Sequence, residues 1–311
     1  MTNTTSSEKK GFFDIHTDGI GYLQRARMVP VKGGRKADPY LACTIAAQVG
    51  SVHDPITRYF DVRVAGSEAK DFVRGYLDAD KSKRPLVRFR SSDPWGDAFF
   101  RTSEGHEGEP GGILKGRLLK IEPFDKAELA QLERFELITR GIGYLNKPQE
   151  VEPKDRDPFL SCVIAALTGP VDIGQEKREY CYFDTVVATP EARNLVRRCV
   201  PSIDEKRRVL IAFRLDDMKA DPFIYAKADR AGQPGVSLKS TLTHISLIKI
   251  DGHQVHPKLQ AQADTPTSED ANAPEDEGTD GSAADVPPSS PAPSEAEVQT
   301  QKRELAQAAP F

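Results

Sequence analysis

Aromatic and basic side chains alternate with apolar ones in the first half of this chain. Tyr59 and Arg63 share one side of an alternating run, and Arg88 and Arg90 alternate with apolar neighbours. Flat rings can stack on nucleobases, and cations can contact phosphates. The residues with this chemistry are Tyr59, Arg63, Arg88, Arg90, Trp95, Phe99, Arg101, Lys115 and Arg117. They predict an aromatic and basic surface, with an ordinary solvated exterior as the alternative.

The residue types that most often carry catalysis or bind metals are scattered. The six histidines lack spaced partners, although His253 and His256 have a spacing that could chelate a metal. Neither Gly33-Gly34 nor Gly111-Gly112 opens a phosphate-binding loop of recognised spacing. Five acids near the predicted hairpin tips could hold a cation or simply solubilise a loop: Asp93, Asp97, Asp216, Asp217 and Asp221. We expect no catalytic residues, no metal and no cofactor, and a protein that is not an enzyme.

Cysteine usage and hydropathy indicate a cytoplasmic protein. The four cysteines are Cys43, Cys162, Cys181 and Cys199, and none belongs to a C-x-x-C pair. This pattern favours buried, reduced thiols. No run approaches the roughly 20 apolar residues of a membrane span, and the N-terminus has no apolar signal core.

The chain contains an internal duplication. Three blocks return in the same order: Gly19–Leu23 as Gly141–Leu145, Asp38–Cys43 as Asp157–Cys162, and Tyr59–Val62 as Tyr182–Thr185. A period of about 120 residues is the size of a domain, not of a solenoid unit. The duplication therefore predicts two similar domains. Because neither contains an obvious set of catalytic residues, we expect the protein to bind a partner and not to catalyse a reaction.

Each repeat begins with strands followed by a helix. An apolar segment around Ile20–Leu23 comes first, and Leu41–Ala47 and Arg58–Ala65 then alternate with a period of two, so three strands are predicted. Ser67 is the predicted N-cap of a helix with apolar residues at helical spacing. In the second repeat, Thr189 is the cap and Pro190 takes the first helical position.

Two strands complete each repeat. In the first repeat, Leu86–Arg90 and Ala98–Arg101 are strand segments around a turn at Asp93-Pro94, with Phe100 pointing inward, and Ile113–Glu122 is the last strand. Three strands, one helix and two strands is the order of an OB-fold barrel. We predict an all-β fold with a short helix per repeat, arranged as tandem OB-fold barrels.

The second repeat keeps fewer of the candidate side chains. Tyr182 is the twin of Tyr59, Arg214 of Arg90 and Tyr225 of Arg101, whereas Val186 and Ala212 stand where the first repeat has Arg63 and Arg88. We expect Tyr182, Arg214 and Tyr225 to assist the first repeat. The second repeat could instead serve assembly or recruitment.

The stretch Thr57–Leu77 resembles the third strand and helix of bacterial single-stranded DNA-binding proteins, where an aromatic-led strand ends at a Gly and a helix with an early Ala follows. The resemblance covers both repeats. It implies that Tyr59 and Tyr182 stack on bases and that Trp95 is a hairpin aromatic, although Ala65 stands where that family has a second stacking ring.

The duplicated blocks also resemble a family of replication-associated proteins encoded on integrating conjugative elements. Together the two resemblances imply a non-catalytic protein that binds single-stranded DNA in replication or maintenance of a mobile element. The alternative is an OB-fold adaptor or oligomeric scaffold that binds protein and little DNA.

The composition changes near residue 261. Residues 261–311 hold 11 acidic and 2 basic residues, a net charge of −9, against −4 for the whole chain. Such a segment cannot bury enough apolar area to offset its ordering entropy. We divide the chain into a disordered N-terminus (1–11), OB repeat 1 (12–124), a linker that could be helical (125–134), OB repeat 2 (135–252) and a disordered acidic tail (253–311).

The last two residues are Pro310 and Phe311. The resemblance to single-stranded DNA-binding proteins implies that this tip binds replication or repair proteins, with the ring in a pocket and the carboxylate on a cation. Those proteins commonly assemble four barrels, and exposed strand edges favour pairing between chains. We therefore expect a homodimer.

Overall fold

The computed structural model describes residues 12–13, 15–31, 38–77, 79, 84–171 and 178–257. Repeat 1 comprises β1 (Phe12–Phe13), β2 (His16–Val29), β3 (Tyr40–Ser51), β4 (Ile56–Val64), α1 (Ser67–Arg74), β5 (Leu86–Phe100) and β6 (Pro110–Pro123). Between the repeats lies α2 (Lys126–Gln131). Repeat 2 comprises β7 (Arg134–Phe135), β8 (Ile138–Val151), β9 (Phe159–Leu167), β10 (Gly169–Pro170), β11 (Tyr180–Val187), α3 (Pro190–Asp204), β12 (Val209–Ile224), β13 (Pro234–Ile250) and β14 (His253–His256).

Five strands of each repeat close into a ring. In repeat 1 the hydrogen-bonded order is β2-β3-β4-β6-β5 and back to β2, and β4 pairs with β6 in parallel. Repeat 2 has the same ring through β8, β9, β11, β13 and β12. The prediction of tandem OB-fold barrels, all-β with a short helix per repeat, is confirmed.

Alternating side chains explain why β4 forms and which way it faces. Phe60, Val62 and Val64 are buried in the core, whereas Tyr59 and Arg63 are exposed. A period of two therefore separates core from surface along this strand.

The helix starts were predicted correctly in one repeat and wrongly in the other. Thr189 caps α3, because its hydroxyl accepts a hydrogen bond from a backbone N–H of the first turn at 3.2 Å. Ser67 is not the cap of α1 but its first helical residue, and the N-cap is Gly66, which makes no side-chain cap bond. Gly66 is needed there because a Cβ would lie 1.9 Å from the carbonyl oxygen of Leu119.

Strand β5 corrects a second expectation. The turn predicted at Asp93-Pro94 is absent, and β5 runs unbroken from Leu86 to Phe100. Asp93 instead sits in a register irregularity with a φ of 47°, and its twin Asp217 has a φ of 51°. An Asp tolerates this left-handed conformation better than most residues, which explains how the strand bends without ending.

The two barrels join through one pair of strands. Residues 16–18 of β2 pair antiparallel with residues 138–140 of β8. At the centre, Thr17 faces Thr139 with their hydroxyl oxygens 3.0 Å apart, and both residues are buried. The two threonines are 122 residues apart, which is the offset of the first duplicated block, so this contact lies on a pseudo-two-fold axis.

The first glycine of each Gly-Ile-Gly motif makes room for the other repeat. A Cβ on Gly19 would lie 2.9 Å from Leu137, and one on Gly141 would lie 3.3 Å from Ile15. Ile15 and Leu137 are buried twins. The duplicated motif therefore encodes the junction between the barrels as well as the barrel itself.

Short arms exchange between the repeats in the same symmetric way. β1 of repeat 1 pairs with β10 of repeat 2, and β7 pairs with the end of β3 at Gly50 and Ser51. Buried residues of both repeats belong to one hydrophobic cluster. The barrels are thus parts of one compact unit.

The structure can be compared with the predicted domain boundaries at the linker and at the end of repeat 2. α2 lies within the predicted linker, where Asp125 caps it. β14 extends the fold past residue 252, because residues 253–256 pair with β13. The predicted disordered ends lie largely outside the described residues. Within these ranges, we find no helix with the length and hydropathy of a membrane span.

Candidate nucleic-acid interface

Register brings five of the predicted residues together on the outside of barrel 1. Trp95 pairs with Lys115 across β5 and β6, and Lys115 neighbours Asp61 on β4. The next row places Arg117 beside Arg63. Tyr59, Arg63, Trp95, Lys115 and Arg117 therefore lie on one surface, which we call the repeat-1 face. Trp95 is 48% exposed and Tyr59 is 54% exposed.

Small side chains form the floor of this face. Ala42, Thr44 and Ala46 on β3 are buried although they point outward. Ala46 pairs with Tyr59 on one side and with Tyr22 on the other. Because directly opposite residues share a side of the sheet, the two rings flank a low floor. Tyr22 was missed by sequence reasoning.

A carboxylate organises the cations of the repeat-1 face. Asp61 accepts hydrogen bonds from Arg27 at 2.6 Å and from Lys115 at 3.0 Å. Burial opposes ionisation of Asp61, but these two hydrogen bonds hold its pKa below the usual value. Asp61 is therefore ionised at neutral pH and fixes both cations near Tyr59.

Three predicted arginines lie elsewhere. Arg90 pairs with Asp18 at 2.6 Å, and Arg214 lies 3.3 Å from Asp216, both near the junction of the barrels. Arg88 pairs with Glu128 of α2 at 2.8 Å. The prediction that Arg88 and Arg90 point outward is correct. However, the first half of β5 pairs with β2, so it faces a different side of the barrel from Trp95.

The hairpin tips carry the remaining candidates. Phe99 and Phe100 are both exposed, so the expectation that Phe100 points inward is wrong; at the tip there is no core for it to enter. Arg101 is also exposed. In repeat 2, Arg230 stacks over the ring of Tyr225 at 3.9 Å from its centre.

Barrel 2 presents a cluster of three tyrosines that we call the tyrosine platform. The Tyr180 ring lies 6.3 Å from Tyr144 and 6.4 Å from Tyr182. Ala165 lies between Tyr144 and Tyr182 in register, and Tyr182 is 60% exposed. The arrangement repeats the low floor of the first barrel with one more ring.

Two arginines influence the tyrosine platform electrostatically. Burial and the neighbouring rings raise the pKa of Tyr180, while Arg178 and Arg208 act to lower it. Both arginines are therefore close enough to influence the phenol. Sequence reasoning named Tyr182 but missed Tyr144 and Tyr180. The available signals were the duplicated Gly-Ile-Gly-Tyr-Leu block and the two-residue spacing to Tyr182.

The other outward positions of barrel 2 differ from those of the repeat-1 face. Lys219 stands in register where barrel 1 has Trp95, beside Lys239. Val186 and Thr241 replace the arginines of the next row. The first barrel thus combines a few rings with cations, and the second concentrates its rings.

A family model matches the chain twice, at residues 6–125 and 128–264, and its description reads "Protein of unknown function (DUF3577)". The protein belongs to this family. The two matched segments correspond to the two barrels.

No curated protein matches the DUF3577 chain with significant similarity. Among solved structures, it is similar to a Replication Protein A heterotrimer bound to single-stranded DNA, with 10% identity over 78% of this chain and a TM-score of 0.18. The DUF3577 chain spans 51% of that chain. A TM-score this low carries no functional information.

The cysteines of the DUF3577 chain are buried, and the acids near its hairpin tips are paired. All four cysteines are free and buried, as predicted, and burial raises the pKa of Cys43, Cys162 and Cys181 to about 12. The five hairpin acids form ion pairs: Asp93 with Arg117, Asp97 with Lys115, Asp216 with Arg214, Asp217 with Arg58 and Asp221 with Lys239. Within the described ranges, no three metal-ligating side chains cluster, His253 and His256 included. Pro310 and Phe311 lie outside these ranges.

Proposed function

We propose that this protein binds single-stranded DNA and acts by binding rather than catalysis. The observation that supports this most directly is the low floor between outward-facing rings in both barrels. Ala46 separates Tyr22 from Tyr59, and Ala165 separates Tyr144 from Tyr182. A floor of small residues lets a base approach the sheet, and the rings offer stacking surfaces on either side.

Stacking favours an unpaired strand. A base in single-stranded DNA can turn its face to a tyrosine, and each such contact is worth about 1–3 kcal/mol. In a duplex the faces are already stacked on neighbouring bases. The cations near Tyr59 supply phosphate contacts without a large net positive charge, so weak binding of duplex is expected.

One strand can reach both barrels. Tyr22 and Tyr144 lie on the outward sides of β2 and β8, five residues from the central Thr17 and Thr139 in opposite directions. At about 3.3 Å per residue, the two rings are at most about 33 Å apart along the strands. We propose that a bound strand crosses the junction between them.

The wider biological role rests on the resemblances described above. We propose a cytoplasmic protein that serves replication or maintenance of a mobile element, with Pro310 and Phe311 recruiting replication or repair proteins. A homodimer stays a prediction. The edges of β2 and β8 near the junction pair within the chain, so its support is the four-barrel assembly of the resembling family.

Tryptophan fluorescence provides the decisive test, because Trp95 is the single tryptophan and lies on the repeat-1 face. Titration with oligo-dT at two salt concentrations should give saturable binding that weakens as salt rises. A duplex of equal length is the control and should bind more weakly. Absence of saturable binding at low salt would rule out the proposal, and salt-independent binding to protein alone would favour an adaptor.

A further inference from the structure

A groove borders the repeat-1 face where the end of β4 meets α1, and it shares Arg63 and Arg117 with that face. It is an open cavity of about 630 Å³. Its charged lining residues are Arg63, Lys70, Arg74, Arg117 and Asp38. The guanidinium of Arg63 also lies 5.1 Å from the centre of the Tyr40 ring, which forms part of the wall. Four cations and one acid give the groove a positive character.

These cations are open to exchange of partners. Arg74 pairs with Asp71 at 3.0 Å, and both side chains are largely exposed. Arg117 pairs with Asp93, also toward solvent. Exposed pairs of this kind contribute little stability, so an anion can replace the carboxylate at small cost. Within the described part of the chain, no ion pair involves Arg63.

At the equivalent place in repeat 2, the arginine of α3 pairs with a carboxylate on β8. Met28 and Glu150 hold the same register position, opposite Leu41 and Leu160 respectively. Glu150 pairs at 2.8 Å with Arg197, the twin of the α1 arginine that lines the groove. With Met28 in this position, repeat 1 has no carboxylate there.

Other cations of the groove are also missing or engaged in repeat 2. Arg193, at the position equivalent to Lys70, donates hydrogen bonds to the carbonyls of Val187 at 3.0 Å and Ala188 at 2.7 Å. Val186 and Thr241 replace two of the arginines. The same fold thus holds a basic groove in one copy and fewer cations, already bonded within the chain, in the other.

We propose that the groove of repeat 1 binds phosphate groups of the strand whose bases stack beside Tyr59, a role that rests on the proposed function. Arg63 links the two surfaces, because it lies on the outward side of β4 four residues beyond Tyr59. That spacing is about 13 Å along a strand. DNA leaving the tyrosine therefore reaches Arg63 first and then the cations of α1 and β6.

The sharpest test copies the ion pair of repeat 2 into repeat 1. Met28→Glu gives Arg74 a second carboxylate in addition to Asp71 without removing a cation, and the exposed position tolerates the change. Each phosphate contact with a single strand contributes about 0.7 to the slope of log affinity against log salt. By the same relation, Met28→Glu should reduce the slope by about 0.7, and the double variant Arg63→Ala with Arg74→Ala by about 1.4. Unchanged slopes for both variants would overturn the inference.

Twin positions supply matched controls. Arg197→Ala changes the charge by the same amount as Met28→Glu but in repeat 2, and it should leave the slope unchanged. An equal reduction of the salt slope by this change in repeat 2 would show a long-range charge effect and would overturn the groove assignment.

Oligo-dT carrying a 5′-phosphate or a 5′-hydroxyl separates two sources of phosphate. A loss confined to the phosphorylated oligonucleotide assigns the groove to strand ends, and an equal loss with both assigns it to internal phosphates.

A direct ligand separates this inference from the proposed function. Calorimetric titration of the full chain with tripolyphosphate should detect binding that the double variant loses. If oligo-dT fails to bind but this loss is still seen, the phosphate groove stands without the stacking proposal. If oligo-dT binds while tripolyphosphate does not and the slopes are unchanged, the groove is refuted and the stacking proposal survives.

Discussion

The two barrels share a framework and differ in what they display on it. Both close the same five-stranded ring, and both place an alanine between outward tyrosines. Barrel 1 adds Trp95 and arginines, with an open basic groove beside them. Barrel 2 adds Tyr180 and has an Arg197–Glu150 ion pair at the place equivalent to the groove. Duplication has therefore kept the floor and changed the balance between rings and cations around it.

The positions that stayed alike are those where backbone geometry allows little choice. A Cβ on Gly21 would lie 2.6 Å from the backbone of β3, and one on Gly143 would lie 2.7 Å from the backbone of β9. The positions that diverged, such as Arg63 and Val186, point outward. Any nucleic-acid preference of each barrel must come from these outward positions.

The largest effect should come from the tyrosine platform. Replacing Tyr180 and Tyr182 with alanine removes two stacking surfaces and should weaken oligo-dT binding by about 2–6 kcal/mol, at about 1–3 kcal/mol per base. The matched change in barrel 1, Thr57→Ala with Tyr59→Ala, removes one ring and should cost about 1–3 kcal/mol. Fluorescence anisotropy of labelled oligo-dT measures both.

This comparison also tests the expectation that repeat 2 contributes less. Equal losses in the two double variants would mean that the third ring of the platform is packing and not a contact. A greater loss in barrel 1 would restore the expectation drawn from the sequence.

An effect of intermediate size concerns the shared framework. Gly21→Val and Gly143→Val each force a side chain against a neighbouring backbone, and each should lower the free energy of unfolding by about 3 kcal/mol. Urea denaturation followed by circular dichroism measures the loss. Similar losses are expected because the barrels belong to one compact unit. A tolerated substitution in one barrel would show that the frameworks are not equivalent.

The sequence was most informative where one local rule decides the structure. Alternation along β4 predicted both the buried side and the outward Tyr59, and the duplicated blocks predicted two barrels. Positive φ at Asp93 was not predictable, because Asp-Pro reads as a turn unless the sheet continues past it. The helix start at Gly66 was missed for a similar reason, since only the contact with Leu119 shows why the glycine is there.

The candidate site was predictable only in part. Alternation along a strand shows whether a side chain points inward or outward, but not which part of the barrel surface it reaches. Arg88, Arg90 and Trp95 all point outward from β5, yet the first two face the linker and junction. A closed barrel turns its outer surface through a full circle, so strand pairing is needed to place them. The platform was missed because Tyr180 has no aromatic twin; Thr57 holds that position.

Twin carboxylates at the centre of the two faces have opposite electrostatics. Asp61 accepts hydrogen bonds from two cations that hold its pKa below the usual value against the effect of burial. At the equivalent position, burial raises the pKa of Asp184. The lysine beside Asp184 in register, Lys239, pairs at 2.7 Å with Asp221.

The smallest predicted effect follows from this difference. The stability that Asp61 contributes is present above the ordinary carboxyl pKa and is lost as pH falls through its lowered value. Asp61→Asn should therefore lower the free energy of unfolding at pH 7 by about 1 kcal/mol, a modest value because solvent screens the pair. The deficit should shrink as the solution is acidified.

The pH dependence of the Asp184 contribution to stability has the opposite sign. This contribution is present below the ordinary carboxyl pKa and is lost as pH rises through the raised value. Asp184→Asn should leave the protein equally or more stable at pH 7. Urea denaturation of both variants between pH 3 and pH 8 measures the two dependences, and matching curves would show that the two faces are electrostatically alike.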